Sequence, residues 1–148
     1  MPCFRVSNWL LTIMGLIIII IVVGGITRLT DSGLSIVDWK PVSGVLPPLN
    51  EGDWNNEFDK YKLYPEYKIK NISLTLREFK RIFWWEYIHR LLGRLIGLFA
   101  VIPYMFFLLK NRLTPNQKRN YFIIIILIGI QGLIGWFMVK TGLNLETY

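Results

Sequence analysis

The sequence predicts an all-α integral membrane protein with three transmembrane helices and a long, partly helical loop between the first two. Three observations carry that reading. Apolar residues make up 53% of the 148 and stand in unbroken blocks such as LIIIIIVV and YFIIIILIG, not at the spacing of a soluble amphipathic element. Two runs of 19 residues carry no charge at all. The formal charge of +7 includes one short, purely basic connection between apolar blocks, as membrane topology demands of loops kept on the cytoplasmic side. A soluble domain and a disordered chain are both excluded. The single cysteine, Cys3, excludes an internal disulfide framework and reads as a spectator. One histidine excludes a multi-histidine metal centre built from this chain alone. No nucleic-acid partner is expected.

The first span, about residues 9–28, rests on the charge-free run Trp9 to Thr27, which at ~1.5 Å per residue is about 28 Å long. A cleaved signal peptide is the weaker reading, because the apolar core is too long and Gly24-Gly25-Ile26-Thr27 offers no small-x-small site. The second span is harder: Leu95 to Leu109 gives only about 22 Å by the same rise. It gains length if FKRIFWWEYIHRLLGRL belongs to the same helix, and Thr75-Leu76-Arg77-Glu78 reads as a capping box opening it. The spacing therefore predicts a partly interfacial helix over about 76–109, with a kink at Pro103. The third span, about 121–139, is the run Tyr121 to Val139, with Gly129, Gly132 and Gly135 allowing close approach of another helix.

Lys110, Arg112, Lys118 and Arg119 in the second connection, together with Arg5, place the N-terminus inside and the 29–75 loop outside. That loop is rich in aromatics. Trp39, Trp54, Phe58, Tyr61, Tyr64 and Tyr67 suit a membrane interface, and Trp54, Phe58 and Tyr61 fall on one face of a short helix beginning near Asn50, expected to lie on the membrane or merely to cap the bundle. Before it, Trp39-Lys40-Pro41 and Leu46-Pro47-Pro48 should be extended. Asn71-Ile72-Ser73 matches a glycosylation sequon too short to weigh.

Ionisable residues inside a span are costly, so the chemistry is sought at Trp85-Glu86-Tyr87-Ile88-His89-Arg90 near the outer end of the second helix. Glu86 and His89 are three apart and share a face. Gly93 and Gly97 continue that stripe and leave bare backbone beside which a flat ligand can lie. Imidazole is a common axial ligand of haem iron, and Arg28, Arg90 and Arg94 are candidates to neutralise propionates. The same residues admit a plainer arrangement. In it Glu86 pairs with Arg90 at i+4, His89 is hydrogen-bonded in the interface, Gly93 and Gly97 serve helix packing, and the arginines snorkel. On pattern alone both stay open.

Longer stretches carry a resemblance. Gly24-Gly25-Ile26-Thr27-Arg28-Leu29-Thr30-Asp31-Ser32-Gly33-Leu34-Ser35, Trp39-Lys40-Pro41, Pro47-Pro48, Glu57-Phe58-Asp59-Lys60-Tyr61-Lys62 and Pro65-Glu66-Tyr67 closely resemble the haem A synthase family. So do Glu78 through Arg94 and Gln131-Gly132-Leu133-Ile134-Gly135-Trp136. The likeness is to the proteobacterial and mitochondrial type, whose outer loop lacks a cysteine pair, and it implies a multi-pass protein of the bacterial or mitochondrial inner membrane. It implies an oxidoreductase that converts the C8 methyl of haem O to the formyl group of haem A. It further implies two related four-helix bundles, of which these three spans are about three quarters of the first. By this resemblance His89 is an axial ligand of the substrate iron and the metal-binding residue. Glu86 is the catalytic carboxylate one helical turn away, near where the methyl is attacked. Gly93, Gly97, Arg28 and Arg90 are expected to hold the macrocycle.

Only one Glu-x-x-His-Arg occurs, so one copy of these residues cannot supply two-histidine ligation. The resemblance puts the partner histidine on a fourth helix and a haem b site in a second bundle. The expectation is a split or truncated enzyme completed by a separately encoded half; a homodimer and a non-catalytic b-type haem-binding or oxidase-assembly protein are the alternatives. Membrane lipid, haem O and haem O synthase complete the expected partners.

Overall fold

The computed structural model describes residues 5–38 and 46–143; Cys3 and Trp39-Lys40-Pro41 lie outside them. Among the described residues the regular elements are all helices: α1 Val6–Leu29, α2 Glu51–Lys62, α3 Pro65–Ile69, α4 Leu76–Leu109 and α5 Pro115–Gly142. Three of these, α1, α4 and α5, are long and apolar enough to cross a membrane, so the protein is an all-α, multi-pass membrane protein.

Local chemistry sets most helix ends. Thr75 and Glu78 form the capping box that opens α4. Thr114 and Gln117 form a second one, with Pro115 at the first helical position, so α5 starts six residues before the charge-free run and takes Lys118 and Arg119 into its first turns. Asp31 and Asn111 each adopt a left-handed conformation, φ 49° and 48°, just past α1 and α4. Ser32 N–H then reaches Thr27 C=O at 2.9 Å and Arg112 N–H reaches Phe107 C=O at 3.0 Å, closing both helices with the αL turn that short polar side chains tolerate.

The 34 residues of α4 make it about 51 Å long, roughly 20 Å more than a hydrocarbon core. The surplus is covered by the loop. Asn50 accepts from Asp53 N–H at 2.8 Å and starts α2, whose Trp54, Phe58 and Tyr61 turn inward onto Phe79 and Phe83 of α4. Ring centroids of Trp54–Phe83 and Phe58–Phe79 are 4.9 and 5.0 Å apart. These aromatics are therefore buried in protein, not offered to lipid, because α4 projects far enough to give them an apolar partner. Asn71 is drawn into the same layer, its amide donating to the Tyr61 hydroxyl at 2.8 Å.

A second cluster lies at the far end of α1 and α4, around Trp9, Ile13, Ala100, Tyr104, Phe107 and Leu113. Pro103 has no N–H and so frees the carbonyl of Phe99 one turn earlier. The Trp9 indole N–H donates to that carbonyl at 2.6 Å, and α4 remains helical through Pro103. Helix α5 touches this end through Tyr121, whose ring meets Trp9 edge-on at 5.5 Å. None of the described residues of α5 is buried.

Candidate functional site

The face of α4 singled out by sequence splits into two environments. His89 turns toward α1, where a Cβ built on Gly24 would lie 3.1 Å from its Nε2 and 3.5 Å from its Cδ2. A side chain at position 24 would press on the imidazole, which would have to give by a few tenths of an ångström. The ring is half-buried, and among the described residues it makes no hydrogen bond. One turn on, Gly93 faces the Ile20 Cδ1 of α1 at ordinary contact, 3.8 Å from a notional Cβ, while nothing approaches within 4 Å of one on Gly97. A cavity of about 320 Å³ is lined by Thr30 just past α1, Leu74 of the loop, and Glu78, Arg81, Ile82 and Trp85 of α4, with Trp85 four residues before His89.

Glu86 and Arg90 face the chain that leaves α1. Glu86 is 3% exposed, and its oxygens are taken up on both sides. Oε2 accepts from the Ser35 hydroxyl at 2.6 Å and from Ile36 N–H at 2.8 Å. Oε1 accepts from the Arg90 guanidinium, 3.0 Å from Nε, in an ion pair whose side chains are 15% and 4% exposed. Arg90 also donates to Ile36 C=O at 2.8 Å, so one residue of the loop is gripped through both its N–H and its carbonyl. A buried carboxylate satisfied by three kinds of donor holds its geometry strongly. Among the described residues no group of three or more His, Cys, Asp or Glu is placed to hold a metal ion.

A family model described as "Cytochrome oxidase assembly protein" matches residues 7–148. The chain belongs to this family. Relatives in it include proteins named "Heme A synthase" from Sphingopyxis alaskensis (50% identical over 141 residues, 95% of this chain and 40% of the relative) and Orientia tsutsugamushi (51% over 142 residues, 96% and 40%). The protein of that name from Maricaulis maris is 50% identical over 139 residues, 94% of this chain and 41% of its own length. The chain thus spans about two fifths of the relatives it matches. No solved structure matches it.

In this member of the cytochrome oxidase assembly protein family, the structure brings Glu86, His89, Arg90 and Gly93 to one stretch of α4 beside the end of α1. Gly97 lies further along in open space, and its expected packing partner is missing among the described residues. Arg28 sits exposed in the last turn of α1, without an interaction to Glu86, His89 or Arg90 among the described residues. The Glu86–Arg90 pair matches the plainer of the two sequence readings, whereas the hydrogen bond that reading gave His89 is absent among the described residues. Three residues had no role assigned from sequence: Gly24, Ser35 and Ile36. The Gly-Gly pair near the end of a span is a signal for Gly24; nothing local marks Ser35, whose partner is 51 residues away.

Proposed function

We propose that this chain is the haem-substrate portion of a haem A-forming oxidoreductase of the inner membrane, acting on the C8 methyl of haem O. The observation that carries the reading is His89: a half-buried imidazole without a hydrogen bond, set against a glycine of the neighbouring span, in a chain half identical to proteins named "Heme A synthase". The residues fit the group. An imidazole is a suitable axial donor, Gly93 and Gly97 add no side chain of their own to the face of α4 beyond it, and the cations offered to propionates are Arg94, next to Gly93 in sequence, and Arg28, one turn past Gly24 on α1. Ligation through Nε2 asks the ring to swing off Gly24, since that edge now abuts α1.

Converting a methyl to a formyl group with water as oxygen source releases four protons and four electrons, and the electrons pass to an external electron acceptor that these 148 residues do not supply. Glu86 is the carboxylate closest in sequence to take one of them, but both its oxygens are engaged. In this state it orders Arg90 and the Ser35–Ile36 segment; it becomes a proton acceptor at Oε1 once Arg90 turns to an anionic group. Iron with a second histidine draws that ligand from beyond these 148 residues, whether a further polypeptide or a second copy, because His89 is the single histidine here. Haem O synthase belongs to the same reading as the source of substrate.

The saturated state of Glu86 favours a second reading, a non-catalytic b-type haem-binding or oxidase-assembly protein, in which the carboxylate is purely structural. One experiment separates them: load the membrane-purified protein with haem O, supply the relatives' remaining portion and an external electron acceptor, and separate the extracted haems by chromatography. Haem A from the wild type, with Glu86→Gln retaining bound haem but yielding only haem O, upholds the enzyme. Equal haem A from Glu86→Gln removes the catalytic role, and loss of pigment only in His89→Ala leaves the binding protein.

A further inference from the structure

We propose that Ser35 is a positioning residue: its hydroxyl, with the Ile36 N–H, fixes the Glu86 carboxylate and so sets the α1 terminus against His89. The use made of Glu86 rests on the function proposed above; the positioning itself does not. The geometry is tight. Ser35 is 2% exposed and donates to Oε2 at 2.6 Å from a segment that carries no regular structure. That segment is built to deliver it: Asp31 in the left-handed region turns the chain at the end of α1, and Ser32, fully buried, bonds back to Thr27 C=O. The Ser35 Oγ also lies 3.2 Å from Ser32 C=O, so its hydroxyl bridges the turn to α4. Since Gly24 and Thr27 belong to the same last two turns of α1, the grip on Ser35 limits how far α1 can rotate or slide beside α4. Gly24 is kept opposite His89 by that limit. An alanine at 35 leaves Oε2 with one donor instead of two in a buried site, where a hydrogen bond to an ionised group is worth roughly tenfold in an equilibrium.

The test reads Glu86 directly, with and without haem. The full chain in detergent is treated with the membrane-permeant reagent dicyclohexylcarbodiimide, and the adduct on the Glu86 peptide is measured by mass spectrometry, with the Glu78 peptide as internal control. Wild type and Ser35→Thr, which keeps a hydroxyl, should be protected; Ser35→Val, of the same shape without the donor, and Ser35→Ala should label roughly tenfold faster at Glu86 alone. Bound ferric protohaem should show a shifted Soret band in the Val variant and the wild-type band in the Thr variant. Equal labelling of the Thr and Val variants overturns the proposal, as does a rise at Glu78 matching that at Glu86. Ser35-dependent protection in a protein that takes up no protohaem upholds the positioning and overturns the haem reading.

Discussion

At the end of the α1–α4 pair nearest the N-terminus, Trp9 lies 2% exposed among apolar rings and gives its single donor to the Phe99 carbonyl that Pro103 leaves free. At the loop end, the same two helices are joined by a carboxylate and a guanidinium that grip Ser35 and Ile36. Both fastenings satisfy buried polar groups, yet they differ in what they risk. The first involves neutral partners, and losing it orphans one carbonyl. The second buries two charges, each of which depends on the other, and losing either strands an ion. The contrast suits the chemistry proposed for the loop end: the charged groups that can exchange partners lie there, on the same stretch of α4 as His89, and the other end is fastened by neutral groups alone.

The largest effect should come from breaking the charged fastening halfway. Arg90→Met leaves Glu86 buried with Ser35 and Ile36 as its remaining donors and should cost about 3–5 kcal/mol, measured by unfolding in mixed micelles. Adding Glu86→Leu should recover much of that loss, since the stranded charge goes with it. A double variant as unstable as Arg90→Met would show that the pair itself, and not its unpaired remnant, governs stability at this end.

At the other end, Trp9→Phe puts a smaller ring in place of the indole and deletes the donor, so that an unsatisfied Phe99 carbonyl adds about 1–3 kcal/mol to the packing lost. Here the cause can be isolated. Pro103→Ala returns a backbone N–H to that carbonyl, so in its presence Trp9→Phe should lose the hydrogen-bond part of its penalty. Additive effects of the two changes would refute the link between the proline and the indole.

Between the two ends, Gly24→Ala puts a methyl 3.1 Å from His89 Nε2 and should cost about 1 kcal/mol by overpacking in the haem-free protein, while leaving the optical spectrum of bound protohaem unchanged, because ligation swings the ring off α1. A shifted spectrum would mean that the imidazole still abuts Gly24 when haem is bound.

How much of this was legible in the sequence depends on the range of the interaction. The three spans follow from the length of the apolar runs, the α4 capping box from residues three apart and the shared face of Trp54, Phe58 and Tyr61 from helical spacing, and those appear in the structure. The start of α5 was equally local, in Thr114-Pro115-Asn116-Gln117, but counting uncharged residues hid it, because a spanning helix extends past the charges that flank it. Pro103 announced a disturbed helix; that Trp9 would answer it needed the docking of α1, 90 residues away. The loop aromatics suited lipid and protein alike, and the projecting length of α4 decided between them. For the site, Glu86, His89 and Arg90 stood out as ionisable residues at membrane depth. Gly24 and Ser35 become meaningful only when the end of α1 is seen against α4.

The smallest effect lies outside both fastenings, on α2. The Lys60 ammonium is held above its ordinary pKa of 10.5, chiefly by its hydrogen bond to Glu57 at 2.7 Å and then by the one to Asp38 at 2.9 Å, against a desolvation cost. Folding therefore favours the protonated form: its contribution is complete below the unfolded pKa and disappears as pH rises through the higher folded value. The partners are partly solvated, side chains 21–39% exposed, so the pair is screened and worth well under about 1 kcal/mol. Hydrogen exchange should show α2 amides losing a little protection as pH climbs past 10.5, after correction for intrinsic rates, and Lys60→Met should abolish that extra loss. Because α2 covers the projecting part of α4 through Trp54 and Phe58, no change at Glu86 labelling should accompany it. A parallel change there would mean that the loop layer and the charged fastening act as one unit.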